Sequence, residues 1–514
     1  MTGAADPGQK LTLALHLALR SQDELTQLLH DLYDPRSLSF HKYLSVSEFT
    51  DRFGPTVADY KKVVAWAKSK GLKVIMTAPN RRLVAIEASV DEIDRAFQVK
   101  ITDYRHPSDG RIFFSADREP EPAGLSVPLL QITGMSNYVL PHPMLKRNTG
   151  PSPASSGSGP SGEYLPSDLR AAYYGKGSLT GSGQTIGILS FDGYLASDVQ
   201  LYYSKTGMAS KVPIKNVLVG GFDGACTAVG STTSSTCDDG EQVLDIVNAI
   251  GMAPGIKQIL FYEGSRDTLI LNQMATDNTA KVLSSSWGWN PDDAASDDPI
   301  FQEFAAQGQT FLSASGDSGQ FNSSTYDFPG VDPYVTQVGG TDLTTAAPGG
   351  AWSAETAWAQ SGGGFVSGTP IPSWQQLPGV INQSNMGSTT LRNAPDVAAE
   401  ANFDNPTVVN GQFLTGYGGT SFAAPRWAGF VALVNQQSVA NGRGTVGFIN
   451  PALYSLGVSA SYPSGFHDIT SGSNPPTAGD GSGFSAVPGY DLVTGWGTPA
   501  GAALINQLAG PVTK

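Results

Sequence analysis

Leucine recurs at positions 11, 13, 15 and 17 with Thr12, Ala14 and His16 between, the alternation of a strand that turns one face to a core. After Ser21 the period lengthens to that of a helix reaching Leu32. A second helix is predicted over 56–69, ended by Gly71 in the left-handed cap position. Residues 72–76 and 83–88 read as strands, Ser89-Val90-Asp91-Glu92 is a capping box opening a helix to Phe97, and 99–104 is a further strand. Strand, helix, strand, strand, helix, strand is the order of a ferredoxin-like α+β module. It carries no cluster of catalytic residue types, so a scaffold or chaperone role is expected.

From Asn148 to Gly162 the chain is almost wholly Gly, Ser, Pro and Ala, too poor in apolar side chains to fold, and it reads as an exposed linker open to proteolysis. Beyond it, the apolar runs 185–190, 258–262, 282–286 and 310–313 are predicted strands. They are separated by helical stretches, among them 197–204 and 241–250, the latter stopped by Gly251 and Pro254. Strands alternating with helices imply an α/β fold with a largely parallel sheet flanked by helices. Residues 345–420 look loop-rich, and a last helix is expected near 500–508. The reading is therefore a module at 1–147, a cleavable linker at 148–162 and a main domain at 163–514.

Composition adds a charge asymmetry. Residues 1–147 hold 19 Lys and Arg against 17 Asp and Glu, or +2, whereas the remainder holds 12 against 28, or −16, within the total of −14. An acidic body argues against nucleic acid as a partner, and the N-terminal module is expected to dock on it through salt links that acid would weaken. No run of 18 apolar residues spans a membrane, and Met1-Thr2-Gly3-Ala4-Ala5-Asp6 lacks the basic and apolar regions of a signal peptide. Export would then use a leader already removed, or another route. Cys226 and Cys237 suit a short-loop disulfide in an oxidising compartment, with two free thiols as the alternative.

The candidate chemistry centres on Gly418-Gly419-Thr420-Ser421-Phe422-Ala423-Ala424-Pro425. Two glycines permit a tight turn, a helix starts at Thr420 or Ser421, and Pro425 is expected in its first turn. A serine there has an orphan N–H and the positive end of a helix dipole beside it, as acyl transfer needs, although a plain Ser/Thr cap after a glycine turn looks the same. No histidine lies between His142 and His467, so the base for such a serine is expected to be a carboxylate. Glu241 and Asp245 stand four apart on one helix and can share a proton. An exposed acidic helix face is the ordinary alternative, but Val243, Leu244, Ile246 and Val247 make this helix largely buried. Asp317, in Ser315-Gly316-Asp317-Ser318-Gly319, could donate to an oxyanion if held protonated, or simply close a turn. Ser286-Trp287-Gly288 could offer a strand edge to a peptide. Asp468-Ile469 and Val487-Pro488-Gly489-Tyr490-Asp491 combine hard oxygen donors with turn residues, a composition that suits calcium.

Glu241-x-x-x-Asp245, Gly316-Asp317 and Gly419-Thr420-Ser421-x-x-x-Pro425, in that order, resemble the sedolisin family of serine-carboxyl peptidases, kumamolisins included. The resemblance implies a subtilisin-like catalytic domain behind a ferredoxin-like prodomain, and acid-active cleavage of protein and peptide substrates. It further implies secretion, a monomer, and autocatalytic removal of the protein's own propeptide. It also implies roles: Ser421 as nucleophile, Glu241 as base, Asp245 as its orienting partner, Asp317 as oxyanion donor, and Ser286, Trp287 and Gly288 as substrate-binding. One structural calcium ion would be held by the Asp468 and Asp491 side chains and the carbonyls of Ile469, Val487 and Gly489, with Val487 where glycine is common. Ser190 stands where kumamolisin-like members carry a further glutamate, so pH optimum and rate do not transfer. Rival readings are a tripeptidyl-peptidase of the same family, a subtilisin-type enzyme using His467, and a catalytically silent binding protein. A glycosidase is disfavoured because carboxylates four apart on a helix sit too close to bracket a sugar.

Overall fold

A computed structural model of the chain describes residues 1–148, 156–227, 237–289, 294–321, 326–476 and 481–512. Its main domain is built on an eight-stranded sheet. The order across it is Ile214–Leu218, Gln258–Glu263, Thr185–Ser190, Val282–Ser285, Thr310–Ala314, Thr336–Thr345 and Trp352–Ala357, with Val397–Glu400 also paired to Thr336–Thr345. The first six strands run parallel and Trp352–Ala357 is antiparallel. All six residues of Thr185–Ser190 are buried, as a parallel strand covered on both faces by helices must be. The expected parallel sheet is therefore present.

Two buried helices carry the chemistry-bearing residues. Gly240–Met252 is buried along its whole length, and Thr420–Ala440 is buried from Thr420 through Asn435. They cross in direct contact at Gly429, where an added Cβ would lie 2.5 Å from the Met252 Cβ and 2.8 Å from the Ala249 carbonyl oxygen. Pro425 sits in the second turn rather than the first. Lacking an N–H, it leaves the carbonyl of Ser421 without its helical donor.

The N-terminal module keeps its expected helices and capping box, with Ser89 and Glu92 bonded reciprocally. Its four-stranded antiparallel sheet has the order Lys73–Thr77, Leu83–Ser89, Lys10–His16, Gln131–Thr133. The edge expected for 99–104 is thus filled by Gln131–Thr133. Ile101–Arg105 instead pairs with Gly3–Ala4 and Ile112–Ala116. Nor is the sheet half-buried. Ala14, Leu83 and Ala85 join a core with Leu271, Phe304 and Phe311 of the main domain, while Leu13, Leu15 and Ile86 face a core of their own with Trp66 and Phe97. Among the described residues the module is joined to the main domain by this apolar contact and by hydrogen bonds such as Tyr33 hydroxyl to Ala305 carbonyl (2.6 Å) and Asn80 Nδ2 to Glu303 Oε2 (2.8 Å). Charged groups also cross: His142 pairs with Asp327, and buried Arg82 of the module interacts with the charges of Glu303 and Asp297.

Two other expectations change. Beyond Thr345 the stretch to 420 contains six strands rather than mostly loop: Val397–Glu400 pairs with Thr336–Thr345, a partner that local composition does not show, whereas Asn405–Val409 and Gln412–Gly418 form a tight hairpin through Asn410-Gly411, a turn signal present in the sequence. Of the predicted linker, 149–155 lies outside the described residues, but 156–162 is docked: Ser158 donates to the buried Asp168 (2.6 Å) and Ser156 Oγ lies 2.9 Å from Thr345 Oγ1.

Candidate active site

Ser421 is the second residue of its helix and fully buried. Gly419, at φ 142°, takes a backbone conformation that L side chains rarely adopt, and this turn aims the serine at the helix Gly240–Met252. The hydroxyl of Ser421 donates to Glu241 Oε2 (3.0 Å) or to the Ser286 carbonyl (3.2 Å). None of the six histidines is among its partners. His467 stacks on Trp352 with ring centres 4.1 Å apart, and burial lowers its pKa to about 4.

Glu241 and Asp245 lie on one face of their helix, both at most 2% exposed. Burial holds Glu241 well above the ordinary carboxylate range, the Asp245 charge adds to this, and the Ser421 hydrogen bond opposes it. A helix N-terminus would favour the ionised form by only about 0.3–2 kcal/mol, whereas burying a charge costs several kcal/mol, so burial wins. Asp245 is likewise raised by burial. Its oxygen accepts from the Ser286 hydroxyl (2.6 Å), a link unseen in the sequence, where Ser286 was read only as part of a substrate strand. That hydroxyl also lies 3.2 Å from the Ser421 carbonyl freed by Pro425. Ser286 has one proton for the two acceptors, and the shorter contact is to Asp245.

Asp317 approaches from the turn after Thr310–Ala314. One carboxyl oxygen accepts from the Thr420 N–H (2.8 Å) and hydroxyl (3.0 Å), while the other, Oδ2, is buried with no partner. Burial pushes its pKa up to about 7, against the pull of the Thr420 N–H and the Lys146 charge. Below that pH it carries a proton that Oδ2 can donate.

The cleft contains the chain's own residues 142–147. His142–Pro143 pairs antiparallel with Trp287–Gly288, and Lys146–Arg147 pairs antiparallel with Tyr417–Gly418. Between them Met144 donates its N–H to the Ser286 carbonyl (3.0 Å) and accepts the Ser421 N–H (3.2 Å). A Cβ on Gly419 would fall 2.2 Å from the Met144 carbonyl oxygen and 2.7 Å from Asp317 Oδ2, so that carbonyl and the unpartnered carboxyl oxygen flank one spot. Sequence reasoning missed Met144 and Lys146; the one hint was Pro141-His142-Pro143, an extended segment suited to strand pairing. The Ser190 hydroxyl bonds locally, donating to the Asp192 carbonyl (2.7 Å) and accepting from the Asp192 N–H (3.3 Å). The other predicted loops also meet: the Gly489 N–H donates to Asp468 (3.1 Å), and Asp491 accepts from the amides of Val493 and Thr494 (2.8 Å each). Cys226 and Cys237 are disulfide-bonded.

These buried carboxylates predict acid stability. Asp317 and Glu303 rise from ordinary values of 3.8 and 4.5 to about 7, and Glu241 and Asp245 move the same way. The folded chain therefore binds protons more tightly than the unfolded one, so this stabilisation is complete below about pH 4 and is lost as pH rises through about 7. Each such group contributes about 1.4 kcal/mol for every pH unit between the two values. Exposed prodomain carboxylates held low, such as Asp34 beside Arg36, oppose this weakly because solvent screens them. Thermal melts of the Ser421→Ala chain should show a higher midpoint at pH 4 than at pH 7; the reverse order would contradict the burial argument.

Residues 1–138 match the pro-kumamolisin activation domain and residues 221–445 match the subtilase family. The chain is 30% identical to sedolisin of Pseudomonas sp. (strain 101), covering 96% of this chain and 86% of that one, and 32% identical to kumamolisin of Bacillus sp. (strain MN-32), covering 91% and 86%. It is also 30% identical to xanthomonalisin of Xanthomonas sp. (strain T-22), of which it spans 65% of the length. A solved structure of Pseudomonas sedolisin, a serine-carboxyl proteinase complexed with two molecules of pseudo-iodotyrostatin, aligns with a TM-score of 0.55 at 31% identity. The alignment covers 69% of this chain and 98% of that one. A prodomain, a parallel sheet and a buried serine facing carboxylates thus coincide with likeness over almost the whole sequence, and the chain belongs to the sedolisin family of serine-carboxyl peptidases.

Proposed function

We propose that the chain is an acid-active endopeptidase, made as an autoprocessed zymogen, in which Ser421 is the nucleophile, Glu241 its general base, Asp245 the partner that tunes Glu241, and Asp317 the oxyanion donor. The observation that carries this reading is the Ser421 hydroxyl donating to Glu241 Oε2 at 3.0 Å, with no histidine among its hydrogen-bond partners. Ser421 Oγ attacks the substrate carbonyl carbon as Glu241 takes its proton. The developing oxyanion accepts from the Ser421 N–H and from protonated Asp317 Oδ2. Glu241 then returns the proton to the leaving amine as the peptide C–N bond breaks, and water hydrolyses the acyl-enzyme by the same route. Asp245 and Glu241 resist joint ionisation, which keeps the pair near single protonation in acid. Ser286, Trp287 and Gly288 pair with the substrate backbone on the acyl side.

Endopeptidase rather than tripeptidyl-peptidase action is supported by the residues now in the cleft. Their chain continues upstream past His142 through Pro141 and Leu140, so the cleft admits a polypeptide longer than three residues on that side. Residues 1–147 are the propeptide, 148–162 a cleavable linker and 163–514 the peptidase domain. Secretion is supported by the Cys226–Cys237 disulfide, which belongs to an oxidising compartment, and among the described residues no helix is long and apolar enough to cross a membrane.

The C-terminal loops fit one calcium ion. Asp468 accepts from the Gly489 N–H (3.1 Å) and Asp491 from the Val487 N–H (3.3 Å), so both carboxylates bond one loop, and no described donor is paired with the carbonyl oxygens of Ile469, Val487 or Gly489. Bound there, calcium would neutralise two carboxylates and tie the loops together. Chelation is expected to lower the thermal midpoint, removing about 3 kcal/mol when calcium is about a hundredfold above its Kd. Asp491→Asn should abolish that response, and an unaltered midpoint on chelation in the parent chain would dismiss the site.

The function itself is tested by a pH profile of casein hydrolysis from about pH 2 to 8, the range that spans carboxylate and histidine titration. Activity confined to acid, and labelling of Ser421 by an aldehyde or phosphonate probe, are expected. Hydrolysis peaking near neutrality would exclude the carboxylate mechanism. No hydrolysis or labelling at any pH would indicate a silent binding protein.

A further inference from the structure

The strand in the cleft fixes which of the chain's own peptide bonds meets Ser421. His142–Pro143 is registered on Trp287–Gly288 upstream, and Lys146–Arg147 on Tyr417–Gly418 downstream, so both flanks are clamped. A slip by one residue would break both ladders and turn every side chain to the opposite face. Within the clamps, the Met144 N–H is held by the Ser286 carbonyl and its own carbonyl by the Ser421 N–H, beside unpartnered Asp317 Oδ2.

Both neighbouring side chains are seated. Met144 is buried, its Sδ 3.9 Å from Thr420 Oγ1, and its Cε lies 2.3 Å from where a Cβ on Gly288 would be, so a side chain at 288 would displace the methionine tip. Leu145 packs with Leu244, Tyr417 and Phe422 in a small apolar cluster. Lys146 Nζ donates to the Asp317 carbonyl and to Gln360 (3.2 Å), anchoring the leaving side.

We infer that Met144–Leu145 is the first bond this chain hydrolyses, in its own cleft, upstream of the 148–162 segment that composition singles out. The inference rests on the proposed serine-carboxyl mechanism. The Ser421 Oγ to Met144 carbon bond forms, the Met144–Leu145 C–N bond breaks, and the serine proton passes through Glu241 to the Leu145 nitrogen. Water then cleaves the ester, giving residues 1–144 with a carboxylate and 145–514 with a new α-amine. No oxidant or other co-reactant is needed.

The test is to acidify the full-length chain purified at neutral pH and to follow intact mass and N-terminal sequence with time, with casein hydrolysis assayed in parallel. A first new N-terminus at Leu145 is expected, formed at a rate independent of protein concentration and absent in Ser421→Ala. Met144→Leu should keep the cut. Met144→Asp, which exchanges the buried thioether side chain for a short polar carboxyl, should slow it by about 100-fold or more. A first cut elsewhere that depends on Ser421, or a rate rising with protein concentration, would overturn the inference while leaving casein hydrolysis and the mechanism standing. Loss of both casein hydrolysis and any Ser421-dependent cut would remove the mechanism and this inference together.

Discussion

Replacing Ser421 by alanine is expected to lower kcat for casein by roughly 10⁵-fold or more, the scale seen when a catalytic serine is removed from a unit that acts together. Glu241→Gln keeps the size of the side chain and a polar atom 3.0 Å from Ser421 Oγ, but an amide cannot accept the serine proton, so a loss of about 10³–10⁴-fold is expected. The double variant should be little worse than Ser421→Ala alone, because the two groups perform one proton transfer. Asp245→Asn should act differently. It removes the neighbouring charge that adds to burial in raising Glu241, so the acid limb of kcat/KM should move to lower pH while a measurable rate remains. His467→Ala should leave kcat unchanged, since His467 is stacked on Trp352 and is no partner of Ser421. An active Glu241→Gln enzyme together with a dead His467→Ala enzyme would sink the assignment of the base.

Asp317 carries the second large effect. Removing one oxyanion donor costs about 10²–10³-fold in kcat, which is the expectation for Asp317→Ala. Asp317→Asn is more informative. Its carbonyl can keep the bonds from Thr420, and its amide nitrogen can stand where the unpartnered Oδ2 now lies. The carboxyl donates only while protonated, and its pKa is about 7, so parent activity should fall as pH rises through that value. The amide donates at every pH, so Asp317→Asn should retain acid activity and extend the alkaline limb. Lys146 now lowers this pKa, and once the segment that carries it leaves the cleft the value should rise further, widening the active window of the processed enzyme. If Asp317→Asn is as inactive as Asp317→Ala across the range, the carboxyl acts only as an acceptor that positions Thr420.

Much of this site is local in origin and therefore legible. Glu241 and Asp245 share a face because four residues make about one helical turn, and the glycine turn before Thr420 marks a helix start whatever surrounds it. The strands Thr185–Ser190 and Val282–Ser285 and the capping box at Ser89 likewise follow from periodicity and side-chain reach within a few residues.

Other features depend on partners outside the local stretch of sequence. Pairing of Gln131–Thr133 in place of 101–105, and of Val397–Glu400 with Thr336–Thr345, was decided by which edges were free in the folded chain. The same holds for the Ser286 hydroxyl on Asp245 and the convergence of Asp468 with Gly489. The placement of Met144 against Ser421 is the extreme case, joining residues 277 positions apart through backbone hydrogen bonds that any side chain could make. The sequence alone thus determined the main helices, the strands of the parallel sheet before 345 and the chemical types at the centre, because short-range sterics and hydrogen bonding specify these. Only the tertiary structure decided which carboxylate meets which hydroxyl and which peptide bond lies before the serine, because those choices come from packing and strand register between segments that carry no mark of one another.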